Sequence, residues 1–368
     1  MKPLVVVMLV VAGAAVRAQL PASLLYDEGR QITLDGIVTR IEWVNPRAYV
    51  FVDAREPGGT VSNWAIEIGN PLDLEERGWM RTTVRVGDAV TVEAVPARGD
   101  ARRARLVSFW TRSPRVRVFN GRAAAARATP VVAGPTPRWP DGQVRLGPPA
   151  GRKGYWGSSS VATMIESGSS ISVRPDGLLV NLSDAGRVAP FQPWARAVYL
   201  HRQRTLLKDD PAARCLPPGG PRQFHTPNGF QFVEQHELGR ILVLFGGGNR
   251  NWRIIYTDGR PLGQAAEAVP SYFGSSVGRW EKDTLVVDSV GYNERFWMTN
   301  GGLPHTEALR LVERFSRPDL HTLRYDVTVD NPRTYTRPWR SAWTVRWVPD
   351  RDLEEFFCEE NAESTFIR

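Results

Sequence analysis

Four residues within ten positions, His305, Glu307, Glu313 and Arg314, carry the groups that proton transfer needs: an imidazole, two carboxylates and a guanidinium. They lie in "GGLPHTEALRLVERF", residues 301–315, a polar turn running into a strand. Strand side chains alternate, so Leu309, Leu311, Glu313 and Phe315 share one face. A carboxylate among leucines is costly unless it is paired or has a task. Three tasks are open for Glu313. As a general acid or base with His305, it draws on a pKa raised by apolar surroundings, and Arg314 or Arg279 stabilises the developing charge. As a structural partner of Arg253 or Arg279, it fixes strand register. As a recognition group, it reads a polar substituent on a ligand. The neighbouring hairpin adds Asp288, Asn293, Glu294, Arg295 and Trp297.

Other chemistries find less support. The five histidines, 201, 225, 236, 305 and 321, form neither HxH nor HExxH, so no metal and no cofactor is expected. "GGGNRNWR" (246–253) lacks the lysine and the following helix of a phosphate loop. "GSSSVATMIESGSS" has no nucleophile elbow. Thirteen tryptophans suit either buried strands or a site for flat ligands.

These residues need a scaffold, and alternation supplies it. "FQFVEQHE", "RILVLFGG", "WRIIYTD", "SVGRWEKDTLVVDSVGY", "EALRLVERF", "HTLRYDVTV", "SAWTVRWVPD" and "EEFFCEE" read as strands joined by short turns. About eight such strands close into an up-and-down antiparallel barrel of the lipocalin-like kind. Its interior would hold Tyr325, Trp343, Trp347, Leu309, Leu311, Phe315 and Glu313. Ligand-lining candidates are Trp280, Asp288, Asn293, Trp297, Tyr325, Trp343, Trp347, Arg253 and Arg279. One helix of about four turns starts after Pro193, with Trp194, Val198, Leu206 and Leu207 as its apolar repeat.

Ahead of this domain (190–368) lies an irregular Pro/Gly-rich connector, 111–189, and before it a compact β unit, 25–110. In that unit about five strands with one short helix, capped near Asn70 with Pro71 in its first turn, suggest a small OB-like barrel; a small sandwich is the alternative. The expected class is therefore all-β.

The start, "MKPLVVVMLVVAGAAVRAQLPA", has a charged end, an apolar run and small residues near Ala18. We read residues 1–18 as a signal peptide, with an uncleaved anchor as the alternative, and expect a periplasmic or secreted protein. Hydrophobic content of 42% and 23% charged residues suit a globular chain. In an oxidising compartment Cys215 and Cys358 favour a disulfide over two buried thiols. The net charge of +8 is uneven: residues 98–127 hold nine arginines and one aspartate. An exported chain rarely meets nucleic acid, so the partner expected for that segment is an envelope surface.

The C-terminal half also carries a resemblance. "PFQPWARAVYLHRQRTLLKDDPAARCLPPGGPRQF", "GGGNRNWRIIYTDGRP", "YFGSSVGRWEKDTLVVDSVGYNERFW", "GGLPHTEALRLVERF" and "FFCEEN" resemble a widespread family of secreted bacterial proteins of unknown function. The N-terminal "GIVTRIEWVNPRAYVFV" and "WAIEIGNPLDLEERGW" look like a separate small exported domain, also of unknown function. The resemblance implies domain boundaries and export, and no reaction. Arg47 and Arg250 stand where the family pattern tends to have histidine.

The functional expectation is an exported barrel that binds a small apolar or aromatic molecule. The alternatives are acid–base catalysis (isomerase, lyase or hydrolase) in the same pocket, or an envelope structural or interaction role.

Overall fold

The structure is a computed structural model that describes residues 25–119 and 134–358, apart from 45–46, 57, 100–101, 113–114, 175, 226–228, 249–250, 263–268, 355 and 357. The expected signal peptide, Arg122, Arg127 and Arg250 lie outside the described residues.

Two closed barrels account for most of the chain. In the first, β1 (Ile32–Glu42), β2 (Ala48–Arg55) and β3 (Val61–Gly69) form an antiparallel meander. A short helix, α1 (Pro71–Glu76), leads to β4 (Ala89–Pro96), which returns beside β1. Strand β5 (Arg103–Arg112) pairs with β4 and also, in parallel, with β3, which closes five strands into a barrel. Strand β6 (Arg115–Phe119) extends the far edge of β5. Inward-facing Val50, Val52, Ile66, Val90, Val92 and Phe109 make a separate core, as alternation with one apolar face requires.

The second barrel has nine strands: β7 (Gly154–Ser159), β8 (Phe230–Gln235), β9 (Arg240–Phe245), β10 (Trp252–Tyr256), β11 (Ser275–Glu281), β12 (Thr284–Val290), β13 (Arg310–Asp319), β14 (Thr322–Asp330) and β15 (Trp339–Pro349). They follow chain order around the ring, and β15 closes onto β7. Alternation along β15 is strict, with Trp339, Ser341, Trp343, Val345 and Trp347 inward. A helix, α2 (Pro193–Arg204), packs over one end.

Four features depart from the sequence expectation. First, the described residues of "EEFFCEE" (Glu354, Phe356 and Cys358) are not in a strand, and β7, from within the supposed connector, closes the ring. The run "GYWGSS" is short and glycine-broken, so it shows no apolar alternation. Second, nine alternating strands form an odd ring, which must contain one same-direction pairing. That joint is β10–β11, with only Ile255↔Ser276 and Tyr256↔Val277 in register. Third, residues 134–189 do not merely skirt the surface: Val144, Leu146, Trp156, Met164, Leu179, Ala185 and Val188 belong to the barrel's core. Fourth, α2 has about three turns and buries Ala195, Tyr199 and Gln203, one every four residues. Trp194 is exposed, and Leu206 and Leu207 lie beyond the helix.

The barrel interior is filled from within. The turn Gly220–His225 is wholly buried. Its Phe224 ring stands 4.9–5.4 Å from the rings of Phe230, Phe245, Phe315 and Tyr325. Outside, β11–β15 carry Arg279, Glu281, Asp288, Arg310, Arg314, Arg324, Asp326 and Arg340 in ion pairs. A charged exterior around an apolar interior is the reverse of a lipid-facing barrel. Among the described residues no helix is long and apolar enough to cross a membrane. Cys215 and Cys358 are joined by a disulfide, Cα to Cα 5.4 Å.

Candidate functional site

Glu313 points into the barrel from β13 and is fully buried. Arg253, from β10, meets it with both terminal nitrogens: Nη1 donates to Oε1 at 2.9 Å, and Nη2 donates to Oε2. The Tyr325 hydroxyl donates to Oε1 at 2.8 Å. Arg253 also donates through Nε to Ser276 Oγ (3.0 Å) and through Nη2 to Ser289 Oγ (2.6 Å). Burial disfavours the Arg253 charge, but Glu313 outweighs it and holds the guanidinium pKa above its ordinary value. Burial, reinforced by Glu313, pushes the Tyr325 phenol well up. Of the tasks open to Glu313, the geometry displays the ion pair with Arg253. Arg253 reaches past β11 and β12 to β13, so the pair spans the short parallel joint.

The other candidates do not gather around Glu313. His305 is buried, with Nε2 at 2.8 Å from the Asn293 carbonyl and its ring 4.2 Å from Phe296. Its Nδ1 has no partner. Burial lowers its pKa to about 4, so it is neutral at pH 7. Glu307 is exposed, and its backbone N–H donates to Glu294. Arg314 lies on the outer face, 2.9 Å from Glu281. Arg279 and Asp288 are also outside: Asp288 takes Arg279 and Arg310 at 2.8 Å each. Partial burial opposes the Asp288 charge, but those two guanidiniums hold its carboxyl below the ordinary range. The strand period explains these positions: 279, 288 and 314 fall on the opposite face from 276, 289 and 313.

The aromatic candidates do converge. Tyr325 and Trp343 lie 4.4 Å apart inside the barrel. Trp347 meets Trp156 edge-on at 4.9 Å. Trp280 is half-buried against the same core. Trp297 instead joins Leu178 and Leu207 in a small separate cluster.

Several interior groups escaped the sequence reading. Ser289 shares the inward face of Leu285 and Val287, as alternation along that strand predicts, but neither it nor Ser276 carried a signal of its role as an arginine partner. Phe224 and His225 enter on a turn with no periodicity. His225 stands edge-on to Trp343 at 5.3 Å, and neither its Nε2 nor Trp343 Nε1 has a hydrogen-bond partner. Burial, and then the Arg222 charge, lowers the His225 pKa to about 3. Arg317 is buried between Trp156 and Trp347, 4.7 Å from each ring centre, and donates to the carbonyls of Arg145, Gly147 and Leu320. Arg47 pairs with Glu67 at 3.5 Å on the first barrel. Among the described residues no group of three or more His, Cys, Asp or Glu is placed to hold a metal.

Fold and site together define a two-barrel, disulfide-bonded all-β protein whose larger barrel encloses a ring cluster and a buried ion pair. Residues 7–105 match a family of unknown function, DUF6152, so the likeness lies on the first barrel and the segment before it. No curated protein and no solved structure matches the chain.

Proposed function

We propose that the larger barrel binds a small aromatic molecule that carries a hydrogen-bonding group, in a protein exported to the periplasm or beyond. One observation carries this reading: His225 Nε2 and Trp343 Nε1, on rings whose centres lie 5.3 Å apart, are both buried and unpartnered. An unmet buried donor or acceptor costs about 1–3 kcal/mol, and a ligand that meets both recovers that cost. A neutral imidazole and an indole N–H offer one acceptor and one donor, or two donors, depending on the tautomer. The rings of Phe224, Tyr325 and Trp343 pack on one another in the filled interior, so a flat guest would enter by displacing the Gly220–His225 turn and stacking in place of Phe224. Glu313, already engaged by Arg253, serves as a fixed wall in this reading rather than as an acid or base. The disulfide favours an oxidising compartment.

A second reading rests on the first barrel. Tyr49, Phe51 and Ala65 form their own cluster on its outer face, with Arg40 3.8 Å above the Phe51 ring. In an OB-like barrel the outer face of β2–β3 is a contact surface; here the three apolar side chains are themselves buried, and the exposed Arg40 that covers Phe51 is the group that fits an anionic envelope partner.

Native against denaturing mass spectrometry of protein produced in the periplasm tests the first reading. The expected result is a bound mass that is released on denaturation and weakened about tenfold in Trp343→Phe, which keeps a smaller aromatic ring and removes the N–H donor. An empty barrel in the native spectrum, or retention unchanged in Trp343→Phe, overturns it.

A further inference from the structure

Outside the ring cluster, at the helix-covered end of the barrel, Arg202 combines three properties that rarely occur together. It is held in place. Its guanidinium lies 4.3 Å above the Trp297 ring, and Nη1 donates to the Gly302 carbonyl at 3.0 Å. Gly302, at φ +88°, lets the backbone press against the arginine stem: a Cβ there would lie 3.2 Å from Arg202 Cβ. It is partly desolvated, and burial lowers its pKa to about 10. It also has no carboxylate of its own among the described residues: none lies within salt-bridge distance of it. The acid that acts on it, Asp210, is bound at both oxygens by Arg222 (2.8 and 2.7 Å) and caps Ala212 N–H as well.

The chain after Arg202 carries a further sign. Leu206 and Leu207 are consecutive left-handed residues, φ +55° and +59°. Bulky side chains avoid that region at a cost of roughly 1–2 kcal/mol each. The strained turn seats Leu207 against Trp297 and Leu178 and ties Leu207 N–H to the Arg202 carbonyl at 2.8 Å. Nearby His305 is neutral and has an unpartnered, buried Nδ1, and the Arg202 charge is among the forces acting on it.

We propose that Arg202 is the anchor of an anion site that takes the carboxylate of a small organic acid. One cation with no carboxylate in salt-bridge reach among the described residues matches one negative charge; a phosphate dianion would leave a second charge unpaired in a desolvated place. The planar guanidinium fits a carboxylate edge to edge. Trp297 lies beneath the guanidinium, and the half-buried Leu206 packs on the Leu178–Leu207–Trp297 cluster beside it, an apolar setting that favours an acid with an apolar body. This site is separate from the barrel interior and does not depend on the reading proposed for it.

Benzoate, benzyl alcohol and inorganic phosphate are the probes, added to the intact oxidised protein with 15N-labelled arginine. The Arg202 Nε cross-peak, assigned by its absence in Arg202→Lys, should move saturably with benzoate, remain still with benzyl alcohol and respond only weakly to phosphate. Calorimetry should show benzoate affinity reduced about ten- to hundredfold in Arg202→Gln. The wild-type titration needs no variant to fold. The proposal is overturned by a peak that does not move, by an equal response to benzyl alcohol, by phosphate binding tighter than benzoate, or by undiminished benzoate affinity in Arg202→Gln.

Discussion

Glu313 was legible in the sequence as a buried carboxylate on an apolar strand face, because a period of two leaves no other place for it. Its partner was legible only as a choice between Arg253 and Arg279. One residue of register separates an inward from an outward arginine, and register is set by pairing between strands rather than by local sequence. The structure puts Arg253 inside and Arg279 outside. Breaking one side of a fully buried pair strands the other charge. Glu313→Gln should therefore lose about 3–5 kcal/mol in urea unfolding. The double variant Glu313→Leu with Arg253→Met should lose less than the two single losses added together, because no charge is left behind. His225 and His305 were visible as residue types, but not as buried ones. Their folded pKa values, about 3 and about 4, lie below that of an unfolded histidine, about 6.5. The unfolded chain then binds more protons, so stability falls as pH drops below about 6.5 and keeps falling toward pH 4, by on the order of 1 kcal/mol per pH unit for each imidazole. Urea midpoints at pH 7, 6 and 5 check this. In His305→Gln the loss between pH 6 and 5 should shrink relative to wild type.

Strands β8 to β15 announce themselves by alternation, and the short helix α1 by Asn70 and Pro71. Strand β7 does not, because its glycines carry no side chain to alternate and its one large inward residue is Trp156. Its role comes from close packing that only the assembled ring reveals. Gly154 has φ +148°, and a Cβ there would fall 2.2 Å from Trp347 Cζ2. Gly154→Ala should thus cost about 2 kcal/mol or more, read as a lowered thermal midpoint. The helix α2 teaches a related point. Its apolar repeat was read from the large residues Trp194 and Val198, whereas the buried stripe runs through Ala195, Tyr199 and Gln203. Gln203 is buried because it is satisfied: its side chain bonds Leu179 N–H and the carbonyls of Gly177 and Gly301. Polarity alone therefore misplaces it.

The two barrels and their ties form the third level of order. The all-β class and the two β units were legible from punctuated alternation; the filling of the larger barrel by Gly220–His225 was not, since a turn buried inside a barrel has no signature of its own. The disulfide spans 143 residues and fastens the C-terminal tail to the turn just before that plug. Arg351, on the same tail, bonds Glu75 of α1 in the first barrel and Glu354. Closing so long a loop stabilises by roughly 4–5 kcal/mol on chain-entropy grounds. Reductant should lower the urea midpoint of the wild type accordingly, and leave a Cys215→Ala, Cys358→Ala variant unchanged.

The odd strand count has a consequence for how the barrel breathes. The strand pairs in the wall from β11 to β15 are held along most of their length, whereas β10 and β11 share two residue pairs and β7 and β8 share one, Trp156↔Phe230. Thermal opening should start along these short joints, and at β10–β11 the bonds of Arg253 to Ser276, Ser289 and Glu313 resist it from inside. Amide deuteration should reach Ile255, Tyr256 and Ser276 before the amides between β13 and β14, and Glu313→Gln should widen that gap. The path by which water, or any guest molecule, first enters the barrel would then be a slit in its wall, beside Arg253 or beside Trp156.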